Sequence, residues 1–313
     1  MELTYDILVE IINDLARKGN IFSNEVQFQF ALAQAIKDYN DFKEANIEVL
    51  LEPLILVRDE NKYDDEKYMK KMYVDIVVKI EELYYPIELK YKTADALVTY
   101  ESLDENNKVK VCTFNQGAED QGSYDYIKDI HRLEQLVFKR FGEYDLIIKT
   151  RSKAEENKYI EITSPMFDYN SLGERPKLKK GFAIMITNNH KCYNKKGRED
   201  KNTKGELYYW NNFFLMNKKT LSGTCCWVNR KSGQSVERKG KSYEDCKVYE
   251  KEVNDAVPNC PTDKINQIEL FKTYQIEWKQ YDTSEKFKEI VSERSRTKHP
   301  FKYLIVEVSS EEK

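Results

Sequence analysis

The sequence predicts an α/β (α+β) fold in which helices flank a mixed central sheet. The order is helix, three strands, helix, strand, followed by a C-terminal extension or subdomain. Three observations carry this expectation. Leu3, Ile7, Leu8, Ile11, Ile12 and Leu15 recur at helical spacing, and a second such pattern follows Ser23-Asn24. Between Tyr73 and Thr93, two short apolar stretches flank a tight connection, and each carries an acid. Gly181-Phe182-Ala183-Ile184-Met185-Ile186-Thr187 has the character of a strand buried at a sheet centre.

The elements follow in order. Lys18-Gly19-Asn20 closes the first helix. Ser23 or Asn24 caps the second, whose apolar stripe is read as Val26, Phe30, Ala33 and Ile36. Glu25 and Gln29 lie one turn apart beside that stripe. Glu25 serves either the helix dipole or the edge of the core. Residues 47–57 form a first strand region, with Pro53 a point of interruption. Residues 58–71 read as a charged turn and 94–120 as a long loop or insertion. Ser123 is placed as the cap of a helix with Tyr126, Ile127, Ile130, Leu133, Leu136 and Val137 on its apolar face and its end at Phe141-Gly142. Strands are expected at 143–148, 158–163 and 181–187. Beyond Asn188 the chain is basic and aromatic, with a helix near 264–271 and strands at 274–279 and 301–308. We divide it at 1–190, the core with its N-terminal helices, and 191–313, which is packed on that core or continues it.

Composition narrows the class. Of 313 residues 40% are hydrophobic, enough for a buried core, and 34% are charged without a dominant block of one sign. No run of about 18 apolar residues occurs, and the N-terminus lacks a signal pattern. A soluble, cytoplasmic protein with no membrane partner is therefore expected. The six cysteines form no C-x-x-C and only three histidines are present, which argues against structural zinc. The net charge of −3 hides an asymmetry: residues 171–250 hold 18 Lys+Arg and 8 Asp+Glu, a balance of +10, leaving −13 elsewhere. Such a basic segment suits either a polyanion or a solvated loop.

The chemistry concentrates in residues 73–93. Side chains alternate along a strand, so Glu88 and Lys90 share one face while Ile87, Leu89 and Tyr91 take the other. Hairpin pairing brings Asp75 beside Glu88. Two carboxylates and an ammonium then suit a hard divalent cation and a phosphate. Glu-x-Lys alone means little, since it also occurs at 156–158, 237–239 and 277–279. Only Asp75…Glu88-x-Lys90 sets both acids in adjoining apolar strands, where an unpaired carboxylate is costly. A structural ion pair of Glu88 with Lys90 or Lys92 is the plain alternative.

Asp75 followed after a dozen residues by Glu88-Leu89-Lys90 resembles the signature of the PD-(D/E)xK nuclease superfamily, and the element order from Asn24 to Thr187 resembles its restriction-endonuclease-like core. Val74 stands where that signature often has proline. The resemblance implies Mg2+ (or Mn2+) held by Asp75, Glu88 and the Leu89 backbone carbonyl, with Glu25 completing the site. It implies that Lys90 orients or deprotonates the attacking water and stabilises the phosphate. It further implies auxiliary contacts from Gln29 and from Lys128 or Arg132 on the next helix, where His131 reads as a surface or packing residue. The expected activity is metal-dependent hydrolysis of nucleic acid, DNA ahead of RNA, by an endonuclease of restriction, defence or repair type. Double-strand cleavage in this superfamily often uses a homodimer. The competing class is a non-catalytic member of the fold that binds nucleic acid or protein. Residues 177–247 are the candidate nucleic-acid contact, through lysines first and through Tyr208, Trp210 or Trp227 as stacking surfaces.

Overall fold

The computed structural model describes residues 1–42, 45–58, 69–94, 96–101, 108–113, 119–138, 147–154, 158–163, 177–193, 215–228, 265–283 and 300–310. The chain is a mixed α+β protein with an open mixed sheet and few helices.

Helix α1 (Tyr5–Arg17) starts where Thr4 Oγ1 accepts the Ile7 N–H at 3.3 Å. It ends before Gly19, whose φ of 76° suits glycine. Helix α2 (Glu25–Lys37) is capped by Asn24, whose Oδ1 accepts the Gln27 N–H at 2.9 Å. Its buried face is Phe28, Gln29, Leu32, Ala33 and Ile36, so the expected stripe shifts. Val26 and Phe30 are exposed instead. The 3.6-residue period that buries Phe28, Leu32 and Ile36 rotates them outward.

The central sheet runs β1 (Ile47–Leu51), β4 (Ile76–Ile80), β5 (Leu83–Lys92), β11 (Lys180–Thr187), β15 (Lys302–Ser309) and β14 (Lys279–Gln280), with short β10 (Lys177–Leu178) also on β5. β1, β4 and β5 form an antiparallel meander. β11 lies parallel to β5, and helix α3 (Glu119–Val137) intervenes in the chain between them. β15 and β14 continue the sheet antiparallel, so residues far past 190 belong to it.

Strand alternation divides the core. Ile76, Val78, Ile87, Leu89, Tyr91, Phe182, Ile184 and Tyr303 join α1 and α2 in one apolar layer. Ala183, Met185, Leu304 and Val306 join Tyr126, Ile127, Ile130, Leu133 and Val137 of α3 in the other. At Gly181 an added Cβ would stand 3.1 Å from Leu133 Cδ2 and 3.3 Å from the Pro86 carbonyl oxygen. Glycine is what lets α3 approach so closely.

Several elements differ from expectation. The region 47–57 is two strands in different sheets: Glu52 adopts φ 47°, and β2 (Leu54–Arg58) departs into a second sheet. That sheet runs β3 (Met69–Tyr73), β2, β8 (Ile147–Ala154), β9 (Lys158–Thr163). The expected loop 94–120 contains a hairpin, β6 (Ala96–Glu101) with β7 (Lys108–Thr113). Ser123 lies buried inside α3 rather than at its start, and Phe141 and Gly142 lie outside the described residues. The expected helix near 264–271 is a strand, β13 (Ile265–Gln275), paired with β12 (Thr220–Val228). A partner about 40 residues upstream overrides the local helical spacing.

The β12–β13 pair is fastened to α3 by Glu134, a fully buried side chain. Its carboxylate accepts the Phe271 and Lys272 N–H groups at 2.9–3.0 Å and the Tyr274 hydroxyl at 2.8 Å. Removing the acceptor strands three donors. Glu134→Ala should therefore cost about 2–4 kcal/mol, read as a lowered urea midpoint. An unchanged midpoint would show that the fastening carries no weight.

Candidate active site

The site begins with a defect in strand pairing. β4 pairs with β5 from Ile80↔Leu83 only as far as Ile76↔Ile87. Before Ile76 the chain comes from β3 in the other sheet, turning through Val74-Asp75. The last stretch of β5 therefore loses its neighbour on that side, and its amides need other acceptors. The Leu89 N–H donates to Asp75 Oδ2 at 2.6 Å, and the Tyr91 N–H donates to Glu25 Oε2 at 2.8 Å. Two carboxylates stand in for the missing strand. A residue's N–H and C=O point to the same side of a strand, so the Leu89 carbonyl faces this opening too.

Asp75 is held from behind. Its backbone carbonyl accepts Gln29 Nε2 at 2.6 Å and the Glu52 N–H at 2.9 Å. Gln29 is buried, and it acts on the backbone of Asp75 rather than on a substrate position. Glu25 owes its place to the first turn of α2, so the one acid both begins the helix and caps β5.

Glu88 and Lys90 lie on the α3 face of β5. Glu88 is 2% exposed, and its Oε1 stands 3.1 Å from the Arg132 guanidinium without making a hydrogen bond. Lys90 Nζ lies 3.0 Å from Asp129 Oδ2, and Arg132 Nη1 lies 3.4 Å from Asp129 Oδ1. Arg132 also donates to the Tyr73 carbonyl. Asp129 thus joins the cluster between the two cations, a role the sequence reading did not assign to it. The signal was available: residue 129 falls on the inward face marked by Tyr126, Ile130 and Leu133. Of the expected α3 contacts, Arg132 reaches the cluster. Lys128 sits exposed on the outer side and does not join it. His131 is a packing residue, with Nε2 2.6 Å from Gln135 Nε2 and its ring 5.7 Å from Phe271.

Lys90 and Arg132 contact Asp129, and Arg132 contacts Glu88, while Glu25 and Asp75 act on this cluster through space and Lys92 acts more weakly on Glu25. Burial pushes the Glu88 carboxyl well up, Asp129 adds to that, and Arg132 opposes it. Burial likewise raises Asp129 to about 6 against the pull of Lys90, and raises Glu25. Burial alone would lower Lys90, but Asp129, Glu25 and Asp75 override it and hold the ammonium firmly protonated. In this arrangement Lys90 carries a positive charge among the acids.

Among the described residues no three His, Cys, Asp or Glu side chains are gathered in the geometry of a metal site. The donors nevertheless fit a hard divalent cation in kind. They are carboxylate and carbonyl oxygens, and Glu88 Oε1 is buried without a hydrogen bond. The Glu-x-Lys at Glu277 and Lys279 has no such setting, since Glu277 is exposed and Lys279 lies over the Tyr5 ring. Asp263, Tyr208, Trp210 and most of 177–247 lie outside the described residues. Trp227 falls in β12, but its side chain also lies outside them. Among the described residues no helix is long and apolar enough to cross a membrane. No protein-family model, curated protein or solved structure matches the chain.

The raised Asp129 carboxyl gives a signed pH dependence. The folded state keeps the proton from 3.8 up to about 6, where the unfolded chain has lost it. Stability from this group is therefore full below that window and lost as pH rises through it. Relative to Asp129→Asn, the wild type should lose roughly 2–3 kcal/mol between about pH 4 and pH 7, measured by urea unfolding in chelator. A constant or rising difference would contradict the assignment.

Proposed function

We propose that this chain is a metal-dependent nuclease of the PD-(D/E)xK type that hydrolyses phosphodiester bonds in nucleic acid, DNA in preference to RNA. The observation that carries the reading is the open side of β5. There Asp75 and Glu25 cap the Leu89 and Tyr91 amides, while Glu88 and Lys90 project beside them beneath α3. The antiparallel β1–β4–β5 meander, followed by α3 and a parallel β11, supports a restriction-endonuclease-like core.

In this reading Asp75 and Glu88 hold Mg2+ or Mn2+, with the Leu89 carbonyl beside them and Glu25 completing the site. A bound divalent ion lowers the pKa of its water and neutralises phosphate charge. The protein's own groups do the rest. Gln29 fixes the Asp75 backbone. Lys90, kept cationic by Asp129, places positive charge where the phosphorane gathers negative charge. Asp129 positions Lys90. The basic segment, of which 177–193 and 215–228 are described, supplies counter-charge for the polyanion. A homodimer would serve double-strand cleavage.

A second reading has its own observation. Glu88 and Lys90 are each already ion-paired, with Arg132 and Asp129, as in a structural network of a non-catalytic nucleic-acid-binding protein. Cleavage separates the two. With Mg2+ or Mn2+, the wild type should cut plasmid DNA, and Asp75→Ala, Glu88→Gln and Lys90→Ala should each lower the rate by about 100-fold or more. Equal cleavage by wild type and variants, or none on DNA or RNA, would remove the nuclease reading. Competition between DNA and RNA would set the substrate class.

A further inference from the structure

We propose that Arg132 is the resident counter-ion of Glu88 and yields to an incoming divalent cation by moving onto Asp129, so that the Arg132–Asp129 pair on α3 sets the metal affinity of the site. The inference rests on the metal-dependent reading above and adds to it a residue that competes with the metal.

The geometry around the guanidinium carries the argument. Arg132 touches two acids at once and grips neither as a bidentate fork. Its Nη2 lies 3.1 Å from Glu88 Oε1, and its Nη1 lies 3.4 Å from Asp129 Oδ1. Glu88 Oε1 is buried without a hydrogen bond although it faces the guanidinium, whereas Asp129 Oδ2 already has the Lys90 ammonium at 3.0 Å. The arginine side chain is 25% exposed and the Glu88 side chain 3%, so the guanidinium is the solvent-side partner of a buried acid.

Charge supplies the driving force. Asp129 also has Lys90 as a partner, whereas among the described residues Glu88 has only a share of the Arg132 guanidinium as an ion pair and is the less fully neutralised of the two. A divalent cation with hard-oxygen preference neutralises Glu88 more fully than the shared guanidinium does. Arg132 then has its next partner in place, because Nη1 already lies against Asp129. Its bond to the Tyr73 carbonyl keeps the side chain near the site during the exchange.

The exchange is tested by Mn2+ binding without nucleic acid, using electron paramagnetic resonance and calorimetry, with Mn2+-dependent melting as a second readout. Arg132→Met should bind Mn2+ about fivefold more tightly than wild type, the worth of one partly exposed ion pair. Mn2+ should also raise its Tm by more than it raises that of the wild type. Arg132→Lys, which cannot span both acids, should shift the same way by less. It keeps the test decisive if the methionine variant folds poorly. Glu88→Gln added to Arg132→Met should abolish the gain. Wild-type binding with equal or weaker binding by both Arg132 variants would overturn the exchange and leave the nuclease reading standing. No Mn2+ binding by any form would overturn both.

Discussion

Everything at this site depends on the early end of β4. The strand leaves β5 at Ile87 because the chain before Ile76 belongs to another sheet. Two amides of β5 are then left without a strand partner, and unpaired backbone donors are too costly to leave buried. Acid side chains fill the gap. Asp75 comes from the bend itself, and Glu25 from the first turn of α2, one sheet layer away. A repair of the hydrogen-bond ladder thus draws negative charge to one edge, where the Leu89 carbonyl adds a further oxygen. Gln29 and the Glu52 amide hold that bend through the Asp75 carbonyl.

Two buried acids linked to α3 show how surroundings decide a role. Glu134 has its carboxylate filled by two amides and a hydroxyl, and its work is to bind β13 to the helix. Glu88 is nearly as buried, yet it faces a shared guanidinium and repulsion from Asp129 and Asp75. A saturated acid is a structural device. An unsaturated one, held beside other acids and a permanent ammonium, is poised to take a proton or a cation. Lys90 belongs with the second kind: the acids around it raise its pKa and favour its charged form.

The sequence already contained the two N-terminal helices, the apolar strands of residues 76–92 and 181–187, and the alternation that separates Glu88 and Lys90 from Ile87, Leu89 and Tyr91. These are local properties, set by side-chain period and capping chemistry. It also marked Glu25, Gln29, Asp75, Glu88, Lys90 and Arg132 as residues to watch. It misjudged the outward face of α2, where Val26 and Phe30 are exposed, and it read β13 as a helix and 94–120 as a loop. The first error is one of phase within a correct helix. The others arise because strand pairing joins residues far apart in the chain, and no short window records its partner.

Local sequence, then, sets the elements and which side chains share a face. Which acids meet depends on how distant strands pair and how the helices pack. Asp75 lies between two sheets rather than within one strand, and that follows from β2 and β3 pairing away from β1 and β4. Asp129 meets Lys90, and Lys128 meets nothing in the cluster, because α3 packs on β5 and β11 through the face that carries Tyr126, Ile130 and Leu133. A single rotation about a helix axis separates a buried partner from a solvated lysine. That angle is fixed by packing across the whole core, which no local stretch of sequence encodes.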